Sequence, residues 1–188
     1  MRHSMIAVFL LFVSQCVFSQ KPMQISDSKL KEIKDEIEVE IKQLKIQMNS
    51  DSNSYMSDYQ KKMNIEYSIE KYRIDTLKAR RISVDYSTSG IVLATIDAEK
   101  SYDNLLNKCY QELLSQLNDE DKEIFKQAQR NWITFRDAER KLSSTLSKEE
   151  YSGGGTIQRT IVAGRILEIT QDRVDDIIVY LLMLNRQN

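Results

Sequence analysis

Ala128-Gln129-Arg130-Asn131-Trp132-Ile133-Thr134-Phe135-Arg136-Asp137 carries the only tryptophan of this 188-residue chain. At helical spacing Gln129, Trp132, Ile133 and Arg136 share one face, while Arg130, Thr134 and Asp137 share a neighbouring one. A large aromatic one turn from a guanidinium either locks a helix into a core or presents a recognition surface. The surrounding sequence favours long helices. Its single proline, Pro22, precedes every periodic segment, and three of the five glycines are consecutive at Gly153, Gly154 and Gly155.

Working outward from this stretch, its helix is expected from about Asp119 to Leu146. Asn118 ends the preceding element, and Asp119, Glu120 and Asp121 place negative charge on the first turn. After it, Ser152-Gly153-Gly154-Gly155-Thr156 is the clearest punctuation: glycines free to leave the helix, then a threonine placed to cap the next one. The final helix is expected to turn Ile166, Ile169, Val174, Ile177, Ile178, Leu181, Leu182 and Leu184 inward. Before the opening stretch, a helix over about 91–117 offers Leu93, Ile96, Leu105, Leu106, Cys109, Leu113 and Leu117 as core. The Asp85–Gly90 region reads as a break ahead of it. Earlier still, a helix from near Ser54 to Ile82 carries Tyr55, Tyr59, Met63, Tyr67, Ile74 and Leu77. Six of the nine tyrosines fall between Tyr55 and Tyr102. They suit either a stacking surface for sugars or, the preferred reading, amphipathic packing with hydroxyls at the rim. A first helix over Asp27–Met48 has Leu30, Ile33, Ile37, Ile41, Leu44 and Met48 at three- and four-residue steps. Ser26 can cap its start, and the Asn49–Ser54 cluster ends it. Strand alternation is nowhere sustained. The fold class is all-α, an antiparallel helical bundle of about five helices.

The N-terminus reads as a signal segment over residues 1–19. Arg2 and His3 precede an apolar run from Met5 to Val13, and Ser19 is a small residue at which cleavage can occur. The run is shorter than the ~20 residues needed to span a bilayer. Lipid attachment at Cys16 is disfavoured by Gln15 before it. The expected product is exported, periplasmic or secreted, with no transmembrane segment, in two parts: a helical extension over 20–84 and a helical domain over 85–188.

Export removes His3, the only histidine, and Cys16, leaving Cys109 as the sole cysteine. Histidine triads and the usual zinc sites are thereby excluded, as is an internal disulfide. No cofactor and no metal are expected. The 27 basic and 28 acidic residues of the full sequence nearly balance, which gives no support to nucleic-acid binding. Carboxylate pairs such as Asp119 with Glu123, or Asp175 with Asp176, lack an apolar setting that would raise a pKa, and no nucleophile has a partner base. The chain does not read as an enzyme.

Over roughly Ala98–Ile178 the sequence resembles the lysozyme-inhibitor LprI-like family of exported bacterial proteins. Tyr102-Asp103, Leu106-Asn107 and Tyr110 fit the family's first helix; Ala128-Gln129-Arg130, Trp132 and Arg136-Asp137 fit its central signature. Gly154-Gly155-Thr156-Ile157 fits its Gly-Gly-Ser/Thr turn, and Thr170 with Arg173 fits its Thr-x-x-Arg. The resemblance implies a small helical module that inhibits lysozyme by protein–protein contact. Family members usually carry cysteines shortly after the Arg-Asp pair and shortly before Thr-x-x-Arg, where Arg140 and Arg165 stand here. The implied disulfides are absent, a loss typically worth about 2–5 kcal/mol.

Two expectations for the site follow. In the structural one, Arg136 forms a pair with Asp103, Arg173 meets Asp137 or Glu139, and Trp132 fills the space beside them; Asp103, Asn107, Gln129, Trp132, Arg136, Asp137, Thr170 and Arg173 then hold helix register. In the functional one, Arg130, Asn131, Gly153, Gly154, Gly155 and Thr156 form an exposed rim that presents hydrogen-bond donors to the cleft carboxylates of a lysozyme or other muramidase. The preferred reading of the glycine turn itself is a plain helix–helix connection capped by glycine and threonine. The rival function is a periplasmic structural or assembly role, in which the amphipathic N-terminal helices pair with a partner or with another copy.

Overall fold

The computed structural model describes residues 25–50 and 56–184. The expected signal segment, Cys16, and Ser54 and Tyr55 of the expected second helix lie outside the described residues. Within them the chain is helical, in the order α1 (Asp27–Ser50), α2 (Asp58–Val84), α3 (Thr88–Gln116), α4 (Asp119–Leu146), α5 (Glu149–Ser152) and α6 (Ile157–Leu184). Five long helices match the expected count, and α5 is a single added turn.

The helix ends follow from local chemistry. Ser57 Oγ accepts from the Gln60 amide at 3.2 Å while Gln60 Oε1 accepts from the Ser57 amide at 3.0 Å, a reciprocal cap on α2. Gln60 Nε2 also donates to the Leu182 carbonyl at 2.6 Å, fixing the start of α2 beside the end of α6. The break between α2 and α3 is shorter than the sequence suggests. Ser87 Oγ accepts from Gly90 at 3.0 Å, so Gly90 lies inside the first turn of α3. A Cβ there would sit 2.3 Å from Asp85 Cγ, and only glycine fits. Asn118 caps α4 by accepting from the Asp121 amide at 3.0 Å.

The main core lies between α2, α3 and α6. Tyr102, Leu106, Cys109, Val174, Ile177 and Leu181 are its most enclosed members, joined by Met63, Tyr67 and Ile74 from α2 and Phe125 from α4. Each fully buried aliphatic side chain contributes about 1.5–3 kcal/mol. Successive long helices run antiparallel, but α3 and α6, which are not consecutive, run parallel and form the closest pair. Their register is fixed at one end by Thr170 against Glu99 and at the other by Tyr180 and Met183 beside Leu113 and Leu117. A second, smaller core seats Ile33, Ile37 and Ile41 of α1 on Ile69 of α2. The middle of the apolar stripe of α1 is therefore covered by α2 within the molecule, while Leu30, Leu44 and Met48 of the same stripe stay partly exposed.

Three expected core positions are exposed: Leu93, Ile96 and Leu184. The inward row of α3 begins with Ala94 and Ala98, whose small side chains let α2 approach, and this turns Leu93 and Ile96 outward. Leu184 sits at the open end of a groove beside Leu113 and Leu117. Tyr59, Tyr72 and Tyr102 pack with their hydroxyls satisfied, on Glu112 at 2.7 Å, Glu40 at 3.0 Å and Asp75 at 2.9 Å, whereas Tyr86 of the same stretch is exposed. No helix among the described residues is long and apolar enough to cross a membrane.

Candidate functional site

The side chains of the Ala128–Asp137 stretch divide between the two faces of α4. On the inner face Arg136 Nη1 donates to Asp103 Oδ1 of α3 at 3.2 Å, and its Nε donates to Asp137 Oδ1 at 3.3 Å. The Arg136 guanidinium lies 5.1 Å from the centre of the Trp132 ring, and Arg173 of α6 lies 6.0 Å from it. Trp132 is thus flanked by two cations on its π system, each contact worth about 0.5–2 kcal/mol according to burial. Arg173 does not meet Asp137 or Glu139 as expected. It donates to Gln129 Oε1 at 3.0 Å and pairs with Asp176 at 3.6 Å, because Asp137 faces solvent and Glu139 is taken by Arg165 at 3.3 Å.

One turn along, a second rung repeats the first. Arg140 pairs with Glu99, whose Oε1 also accepts from Thr170 Oγ1 at 3.3 Å. Glu99 precedes Asp103 by four residues as Arg140 follows Arg136 by four, so two antiparallel helices carry two acid–arginine rungs one turn apart. Glu99 was missed in the sequence, although that four-residue repetition is its signal. Arg140 and Arg165, standing where the relatives place cysteines, each bridge to a neighbouring helix here. Of the eight signature residues, Asp103, Gln129, Trp132, Arg136, Thr170 and Arg173 come together across α3, α4 and α6. Asp137 is exposed and touches only Arg136, and Asn107 is exposed and joins no part of the network.

The six rim residues are not brought together. Arg130 and Asn131 lie exposed midway along α4, engaged with Gln127, Arg130 Nη2 at 3.0 Å from Gln127 Oε1 and Asn131 Oδ1 at 2.9 Å from Gln127 Nε2. About 24 Å of helix, at 1.5 Å per residue, separates Arg130 from the end of α4. The turn itself holds Gly153, Gly154 and Gly155 at φ of 74°, 74° and 92°, values that L side chains rarely adopt. Gly153 donates to the Glu149 carbonyl at 3.0 Å and Gly154 to Ser152 Oγ at 3.1 Å. The Gly155 and Thr156 amides have no acceptor among the described residues. Thr156 does not cap α6 through its side chain; its carbonyl, and that of Gly155, accept from the first turn instead. The result is an exposed left-handed loop whose amides open at the positive end of α6, flanked by exposed Lys148 and Arg159.

Cys109 is fully enclosed in the main core, and burial pushes its thiol up to about 12. It is a packing residue and not a nucleophile.

A sequence model of the family described as "Lysozyme inhibitor LprI" matches residues 83–177, a span that takes in both rungs, the Trp132 clamp and the glycine turn. No curated protein and no solved structure gives a match.

Proposed function

Because this chain belongs to the lysozyme inhibitor LprI family, we propose that it is an exported, non-catalytic binding protein that inhibits a lysozyme or another muramidase by protein–protein contact. The observation that carries this reading is the Gly153–Thr156 loop. It holds three left-handed glycines, Gly153 and Gly155 in open space and Gly154 against Glu149, and leaves the Gly155 and Thr156 amides without acceptors among the described residues. Glycoside hydrolases of this kind work with two carboxylates in a cleft. Backbone amides at a helix N-terminus suit such carboxylates, because the helix dipole and the unpaired N–H groups act together. The clamp around Trp132 holds α6 against α4 and so fixes where the loop stands. Arg130 and Asn131, far from the loop on the same helix, belong to the reading only as a secondary contact.

The experiment is a muramidase assay with the chain lacking residues 1–19, titrated against lysozymes of several structural classes. One-to-one inhibition in the micromolar range is expected for at least one class. Gly154→Ala together with Thr156→Val should weaken it at least tenfold with unchanged helical circular dichroism. Inhibition of none of the enzymes, or inhibition indifferent to the loop variant, removes the proposal in that form.

A further inference from the structure

The Gly153–Thr156 loop offers amides but little area. A specific protein–protein interface buries about 800 Å² on each side and rests on a few large anchors near its centre. Three glycines and a threonine supply neither. The apolar side chains around the loop supply both. Leu146 closes α4, Tyr151 lies in α5 and Ile157 opens α6, and they are 50%, 61% and 60% exposed. One turn farther from the loop, Leu142 and Ile161 are exposed as well, and the Glu139–Arg165 contact brings them level on antiparallel α4 and α6. Four-residue steps align Leu142 with Leu146 and Ile157 with Ile161. Single exposed hydrophobics are ordinary; five that flank one loop mark an interaction site.

We propose that Leu146, Tyr151 and Ile157, with Leu142 and Ile161 behind them, form an apolar collar that seats on the sugar-binding walls of the muramidase cleft. The cleft of such an enzyme places two carboxylates beside the bond to be cut, between walls whose apolar surfaces lie against the faces of the sugar rings. The loop end of this chain presents the complementary order. Its open amides stand at the centre with Lys148 and Arg159 beside them, and an aromatic ring and branched aliphatic side chains surround them. The single turn that carries Tyr151 is held before any partner arrives. Ser152 Oγ lies 3.0 Å from the Ser147 and Lys148 carbonyls, to which it donates, and accepts from the Gly154 amide at 3.1 Å. An anchor ordered in advance loses little freedom on binding.

This inference rests on the inhibitor reading and adds to it which surface of the enzyme is covered. Because the collar takes the place of sugar rings, inhibition is competitive with the glycan. A lipid surface fits the collar poorly, since Glu149 and Glu150 flank Tyr151 where an interfacial segment needs lysine and arginine.

The test uses the full chain and the panel of lysozymes above, with binding followed by calorimetry. Chitotriose, a trimer of N-acetylglucosamine, at ten times its own dissociation constant for the enzyme should weaken binding of the unaltered chain about elevenfold. Tyr151→Ala and Ile157→Ser should each weaken it at least tenfold with unchanged helicity. Tyr151→Phe should change it less than twofold, because the ring and not the hydroxyl makes the contact. Ile124→Ser, equally exposed but about 33 Å from Leu146 along α4, should also change it less than twofold. Binding to no enzyme of the panel removes the inhibitor reading and this inference together. Binding that Gly154→Ala with Thr156→Val weakens, but that chitotriose and the Tyr151 and Ile157 variants leave unchanged, overturns this inference alone. Self-association or binding to phosphatidylglycerol vesicles that Tyr151→Ala abolishes, with enzyme binding intact, also overturns it, assigning the collar to a second copy or to lipid.

Discussion

At the scale of single residues, the tryptophan and two arginines tie α4 to α3 and α6. Arg136 is mostly covered, but Asp103 keeps about two-fifths of its surface, so water screens their charge interaction. The larger loss on removing Arg136 is its stacking on Trp132 and the space it fills between α3 and α4. Arg136→Ala should therefore cost about 1–3 kcal/mol, less than a fully buried ion pair broken on one side. For a domain of this size that lowers the melting temperature by about 2–4 °C per kcal/mol. Thermal unfolding followed by circular dichroism checks it, and an unchanged midpoint would reduce the clamp to surface decoration. Asp103 opposite Arg136 could be read from antiparallel neighbours and opposite charge. The Arg173–Gln129 contact could not, because which partner a long side chain reaches depends on helix rotation, which no spacing rule provides.

At the scale of elements, the helices start where the sequence supplies caps and stop where it supplies glycine or clustered polar residues. The limits of α4 could be read almost to the residue, since Asn118 and the acidic first turn mark its start. The start of α3 was misplaced, because Gly90 looks like a helix breaker and in fact lies within the helix. Its role is close approach to Asp85, not a turn. Gly90→Ala should force Asp85 off the N-terminus of α3 and cost about 1–3 kcal/mol, a tertiary clash outweighing the helix propensity gained. Gly164→Ala, in the middle of α6 with open space around its Cβ, should instead stabilise by up to about 1 kcal/mol. The two variants compared in urea separate close packing from propensity; equal effects of the same sign would contradict this account.

At the scale of the whole molecule, one enclosed core spans α2, α3 and α6, with α1 layered outside α2 and α4 outside α6. Its interior holds weak acids that fold in their neutral forms. Burial raises the Cys109 thiol to about 12, and the Tyr59 hydroxyl is raised to about 12 by burial and by its bond to Glu112. Tyr67 and Tyr102 move in the same direction, chiefly through burial. Above the thiol's unfolded value, near 8.5, the unfolded chain releases protons that the folded chain keeps. Stability from these groups is thus fully present below about pH 8.5 and falls as pH rises towards 12. Urea midpoints should decline between pH 8 and 11, and Cys109→Ala should flatten the early part of that decline. A midpoint rising with pH in that window would refute the burial of these groups.

The sequence by itself determined the helical class, the number of long helices, most of their limits and the family, because hydrophobic period, caps and ordered motifs are local properties of the chain. Tertiary structure alone decided that α3 and α6 lie parallel, that α1 seats Ile33, Ile37 and Ile41 on α2, and that α4 leaves Phe135, Leu142 and Leu146 half-exposed. The physical reason is the same for all three. Amphipathic period says that a helix has an apolar face, but only the packing of helices distant in sequence decides whether that face is covered.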